Sequence, residues 1–302
     1  MNPLDSLGST PQCILAARAT LGECPRWHSA EQRLYWVDIA ANSMYRWTPA
    51  TGQQDERRFD APVGCFAFRE RGGFILGMKN GCALIDSWDG APRPFGDQVL
   101  TGKPHHRMND GRTDAAGRLW IGSINAAKDV EDAMLYRLDR DGTLTAIEGG
   151  MTTCNGAAFT SDGYRFAHSD TPSHAVRVYD CDTAAGALSN RRILHQLATG
   201  VGPGLGRPDG GSFDMDGCYW VAMFDGWRIV RLSPAGDVVA EVALPVQRPT
   251  MISFGGPDHR TAFVTTATTG LDGDALNEQP DAGGVFAFRA DVPGVRETAF
   301  AG

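Results

Sequence analysis

Along this chain hydrophobic and polar positions alternate in short bursts rather than at helical spacing. A β-prone run, preceded by a polar or glycine-containing turn, recurs at six places. These are "RLYWVDI" at 33, "GFILGMK" at 73, "GRLWIGS" at 117, "YRFAHSD" at 164, "CYWVAMF" at 218 and "RTAFVTT" at 260. The starts lie 40, 44, 47, 54 and 42 residues apart. A second such run follows each: "SMYRW", "GCALI", "AMLYRLD", "AVRVYD", "WRIVRLS" and "GVFAFR". Several are also preceded by a run that approaches the same turn, as in "CNGAAFTSDG" and "PDGGSFDMDG". Self-similarity at this period, with several strands per unit and Gly, Asp and Pro between them, predicts the blades of a propeller. No amphipathic helical stretch exceeds about three turns, which disfavours an α/β barrel. A two-sheet sandwich leaves six similar units unexplained. The prediction is an all-β, six-bladed β-propeller formed by residues 1–302 as one domain. Residues 1–11 are read as a flexible N-terminal segment. The segments "CILAARA" and "GVFAFRA" are expected to share a blade and so remove the ring's open edges.

Composition narrows the class of protein without changing that picture. A chain of 302 residues with 42% hydrophobic and 21% charged content fits a globular protein and excludes disorder. The formal charge of −8, with basic residues no more than paired, argues against nucleic-acid binding. "MNPLDSLGST" lacks the basic and apolar regions of a secretory signal, and no apolar run nears the ~20 residues that span a membrane. Seven cysteines without a C-x-x-C pair point to a reducing, cytoplasmic setting. A monomer or weak oligomer is expected.

Innermost propeller strands converge on a central channel, so the candidate chemistry lies where different blades carry polar residues at equivalent points. "LGECPRW" carries Glu23, "TTCNGAAF" carries Asn155, and "RPDGGSF" carries Asp209. "HHRMNDGRTDAAG" adds Asn109 at a fourth equivalent point. Alone, an Asn-Gly or Asp-Gly pair reads as a turn. Yet Asn155-Gly156 and Asp209-Gly210 each lie seven residues before a second Asp-Gly pair, and two hairpin turns so close are redundant. Glu23, Asn155 and Asp209 supply hard oxygen donors and two negative charges, a set suited to a divalent cation with positions left for water and substrate.

Other signals are weaker. "SFDMDG" misses the first Asp and the closing Glu of an EF-hand loop. No G-x-S-x-G elbow or H-E-x-x-H pair occurs. His105 and His106, adjacent and so on opposite strand faces, are assigned a lid or surface role. Cys24 and Cys154 are read as structural, and the glycine-rich "GVGPGLGR" as a mobile loop. Asp214 is expected to be structural, and Asp216-Gly217 the hairpin turn.

The stretches "GECPRW", "RMNDGRTDAAGRLWIG", "CNGAAFTSDG", "LSNRRIL", "RPDGGSFDMDGCYWVA" and "DAGGVFAF", in this order, resemble the senescence marker protein/regucalcin–gluconolactonase family of six-bladed propellers. The resemblance runs from about residue 12 to 302. It implies one divalent metal (Ca²⁺, Zn²⁺, Mn²⁺ or Fe²⁺) held by Glu23, Asn155 and Asp209, with Arg107 and Asn109 contacting substrate. It implies hydrolysis of aldono-1,4- or 1,5-lactones, such as glucono-, xylono- or arabinonolactone, with Asp209 handling the proton. The alternative within the family is a noncatalytic, calcium-binding regulatory propeller. A departure is the loop "INAAKDVEDA", where Ala126, Ala127 and Lys128 replace an acidic sugar contact frequent in the family.

Overall fold

The computed structural model, which describes residues 2–302, contains six four-stranded antiparallel sheets. The recurring run and the run that follows it are the second and third strands of each sheet. In the first blade, for example, Gly22–His28 pairs with Arg33–Asp38, which pairs with Ser43–Thr48 and then Gln53–Arg58. The innermost strands are Gly22–His28, Val63–Phe68, His106–Thr113, Cys154–Phe159, Arg207–Phe213 and Pro249–Gly255. They pack successively against one another, and the sixth returns to the first, closing a ring.

Burial falls from the axis outward. The second strand of the third blade, Leu119–Asn125, is buried at every position. The outermost strands Gln53–Arg58 and Val238–Ala243 alternate between exposed and half-buried. Two-sided burial accounts for the continuous apolar runs of the second strands. Charged outer strands such as "QQDERR" blunt an edge that another chain could otherwise extend.

Ring closure uses both ends of the chain. Gln12–Leu15 pairs antiparallel with Val285–Arg289, so the sixth blade combines one N-terminal strand with three C-terminal ones. The flexible segment expected over 1–11 is instead ordered among its described residues. Pro3–Ser6 forms a 3-10 turn capped by Asn2, and the Arg289 amide donates to the Gly8 carbonyl at 2.7 Å. Leu4 and Leu7 are buried with Trp27, Trp36 and Val285, and removing two leucines from water is the physical reason. All seven cysteines are free, six of them buried. Among the described residues no helix is long and apolar enough to cross a membrane.

Candidate functional site

Every inner strand starts in register with its neighbour and then slips. The slips fall between Glu23 and Arg26, Met108 and Gly111, Asn155 and Ala158, and Pro208 and Gly211. The remaining two inner strands slip between Val63 and Cys65 and between Pro249 and Met251. Such a bulge leaves residues unpaired and re-aims their side chains. Asn109 and Asp209 fall inside the slip and Glu23 and Asn155 are the last paired residues before it, and all four line one mouth of the channel. Asn155-Gly156 and Asp209-Gly210 are therefore bulges within strands, while Gly163 and Gly217, both at positive φ, form the turns that follow. Gly156 has φ +69°, and a Cβ there would run into the Tyr219 hydroxyl. That hydroxyl donates to the Gly156 carbonyl at 2.7 Å and so props the bulge.

The side chains form a connected set. Arg107 Nη1 donates to Asn109 Oδ1 at 2.5 Å. Asn109 Nδ2 donates to Asn155 Oδ1 at 2.6 Å and to the Cys154 carbonyl at 2.8 Å. Asn155 Nδ2 donates to Asp209 Oδ1 at 2.6 Å and to Thr171 Oγ1 at 2.8 Å. Glu23, from the first blade, lines the same cavity. All five residues singled out in the sequence line one cavity of about 180 Å³, together with Lys128, Thr153, Thr171, Arg207 and Phe224.

Electrostatically the cavity is a place where negative charge is costly. Burial, then the neighbouring Asp110, pushes the Asp209 carboxyl up to about 8, although Arg207, Lys128 and Arg107 oppose the rise. Burial, then Asp209 and Asp110, holds Glu23 well above the carboxylate range. Burial lowers Arg107 to about 10, against the pull of Glu23 and Asp209. Asp110, beneath the site, is raised by burial while accepting from the Gly111 and Ala157 amides at 2.7 and 3.0 Å. Among the described residues no group of three or more His, Cys, Asp or Glu converges. The donor set is thus two carboxylates and an amide.

The channel's other end is closed by different chemistry. The Glu297 carboxylate, from the C-terminal segment, pairs with both Arg26 and Arg112. These two guanidiniums also bond the carbonyls of Phe66 and Gly211 at 2.6 and 2.8 Å. A larger concavity of about 460 Å³ opens on that side, but Glu23, Asn155 and Asp209 do not line it.

Outside the cavity, Asp214 is fully buried and accepts from the Asp216 and Cys218 amides, Trp220 Nε1 and Arg231 Nε. Asp114 makes the same bonds to Ala116, Arg118 and Trp120 two blades earlier, so this carboxylate organises a turn. The lid or surface assignment of the histidine pair needs correction. His106 is buried on the inner strand, its Nε2 2.8 Å from Asp132 Oδ1, and only His105 is exposed. The bond to a loop carboxylate offsets its desolvation. Cys24 and Cys154 face packed neighbours, Cys24 Sγ lying 3.6 Å from the Phe66 carbonyl. Sequence reasoning missed Thr171 and Arg207 as cavity residues and noted Lys128 only as part of a loop that departs from the family. Arg207 carried a signal: it lies two positions before Asp209 on the same strand, hence toward the same face until the bulge intervenes.

Comparison with known proteins agrees with this architecture. Residues 21–268 match the profile of the SMP-30/gluconolactonase/LRE-like region. The chain is 40% identical over 299 residues to a 6-deoxy-6-sulfogluconolactonase of Pseudomonas putida, covering 98% of this chain and all (100%) of that one. It is 32% identical over 298 residues to regucalcin of Xenopus laevis, covering 96% and 98% of the two chains. The crystal structure of a calcium-binding protein, regucalcin, from Agrobacterium tumefaciens superposes with a TM-score of 0.91 at 23% identity, covering 97% and 98%. With repeats, ring closure and most of its length in common with these proteins, the chain belongs to the SMP-30/gluconolactonase/LRE-like family.

Proposed function

We propose that this protein is a metal-dependent hydrolase that opens sugar lactones to aldonic acids. The observation that carries the reading is the convergence of Glu23, Asn155 and Asp209 with Arg107 and Asn109 on one cavity. The 40% identical Pseudomonas relative is named for a lactonase activity, which supports the same reaction class.

The residues present fit a divalent ion. Glu23, Asn155 and Asp209 offer oxygen donors alone, and Asn155 Oδ1 retains a lone pair beyond the one taken by Asn109. Two carboxyls held above their ordinary range by desolvation and by neighbouring carboxylates, Asp209 and Asp110 acting on Glu23 and Asp110 on Asp209, are relieved by a cation between them. Bound there, a divalent ion supplies Lewis-acid polarisation of the lactone carbonyl. Asp209 takes a proton from the attacking water as the water oxygen bonds to the carbonyl carbon. It then delivers that proton to the ring oxygen as the carbon–oxygen ring bond breaks, so the ester is hydrolysed with no net proton change at the residue. Arg107 donates to substrate oxygens, Asn109 Oδ1 accepts from a substrate hydroxyl through its remaining lone pair, and the Asn109–Asn155–Asp209 chain holds the carboxylate in place.

Lactone opening followed by pH-stat, before and after chelation and with individual divalent ions restored, tests the proposal. Chelation should abolish turnover and an added ion should restore it. Asp209→Asn should lower kcat by about 100-fold or more. Wild-type turnover in Asp209→Asn would remove Asp209 from the mechanism. The alternative, a noncatalytic calcium-binding propeller, draws on the structural neighbour described as a calcium-binding protein, regucalcin. It predicts ion binding with no turnover on any pentono- or hexonolactone.

A further inference from the structure

The cavity wall opposite in character to the acids is cationic. Lys128 and Arg207 line it along with Arg107, against two carboxylates, in a protein whose formal charge is −8. Behind Arg207 lies a second guanidinium. Arg207 and Arg248 both pair with Asp225, the latter through Nε at 2.6 Å. Their guanidinium carbons sit 5.3 and 5.2 Å from the Phe224 ring centroid. One carboxylate thus serves two guanidiniums, and Arg207 Nε has no acceptor among the described residues.

The same position in other blades does a different job. Asp38 and Asp170 end the second strands of the first and fourth blades and accept backbone amides of the loop entering the inner strand. In the fifth blade Asp225, one residue past the second strand, accepts instead from Arg207, Gln247 and Arg248 side chains. A device that elsewhere clamps backbone here holds two guanidiniums, of which that of Arg207 lines the cavity. Lys128 and Asp225 both occupy left-handed conformations, φ 55° and 64°, a backbone cost that persists where surrounding structure imposes it.

A neutral sugar end gives back little for desolvating such a wall, whereas an anion returns charge-assisted hydrogen bonds. We infer that Lys128 and Arg207 form an anion subsite, and that the substrate is an aldonolactone bearing a sulfonate, phosphate or carboxylate at the end remote from its lactone carbonyl. The inference rests on the lactonase reading for the bond broken, but not for the binding.

Calorimetric titration of metal-loaded protein with 6-deoxy-6-sulfogluconate, 6-phosphogluconate and glucarate, each against gluconate, separates the anion types from the neutral-ended acid. At least one anion-ended acid should bind more tightly than gluconate, and that advantage should shrink with added salt. Lys128→Met, on an exposed turn, and Arg207→Gln, which leaves Asp225 its Arg248 and Gln247 partners, should each cut the affinity ratio of that acid over gluconate by about tenfold. The matching lactones should show the same fall in their kcat/KM ratio. Equal binding of gluconate and all three anions to the wild type, or an unchanged ratio in Lys128→Met, would overturn the subsite. If no lactone is opened while the binding ratios behave as stated, the hydrolase reading fails and the anion subsite stands.

Discussion

Asp209 and Glu23 titrate in a direction that has a measurable consequence. The folded Asp209 pKa of about 8 lies above the unfolded value of about 4, so the folded state binds its proton more tightly. Its contribution to stability is then complete below about pH 4 and lost as pH rises through about 8. Glu23 shifts in the same direction. Metal-depleted protein should therefore melt at progressively lower temperature between about pH 5 and pH 9, and Asp209→Asn should flatten that decline. A saturating divalent ion should raise the melting temperature more at the alkaline end, since the ion takes the proton's place. Scanning fluorimetry reads both, and a wild-type slope no steeper than that of Asp209→Asn would contradict the assignment. These residues were legible because their types are unusual at those points in a strand repeat. Lys128 was legible only as a member of an atypical substrate loop and Thr171 not at all, because a threonine before proline carries no signal until the loops are placed.

The bulged inner strand is the element that turns a repeat into a site. Gly156 shows the requirement most plainly, because its φ of +69° and the Tyr219 hydroxyl both exclude a side chain. Gly156→Ala should cost about 1–3 kcal/mol in denaturant unfolding, from positive φ together with the clash. It should also weaken metal binding by displacing Asn155. Unchanged stability would mean that the bulge tolerates a Cβ. The second and third strands of every blade were visible in the hydrophobic pattern, since burial of most of their positions keeps them rich in apolar residues. The fourth strands were not. Gln53–Arg58 and Ala187–Gln196 are mostly exposed, and their pairing partner rather than their composition makes them strands.

The ring as a whole has a site at one end and an ionic plug at the other. Glu297 lies between Arg26 and Arg112, whose side chains are 1% and 7% exposed. Glu297→Ala leaves two buried guanidiniums without their shared carboxylate and should destabilise the protein by about 3–5 kcal/mol, with Glu297→Gln costing less. Chemical denaturation of the two variants measures this, and a loss below about 1 kcal/mol for Ala would show that solvent reaches the plug and compensates. The chain's own pattern determined the six-fold strand repeat, the closure by its two ends, the Asp-Gly turns and the residue types fit to hold a cation, because each depends on local alternation or on side-chain chemistry. Tertiary structure alone decided that Asn109, Asn155, Asp209 and Glu23 meet, that Lys128 and Arg207 stand beside them, and that Glu297 seals the far end. Those contacts join different blades, and only the closed ring, with every inner strand bulged, sets their distances.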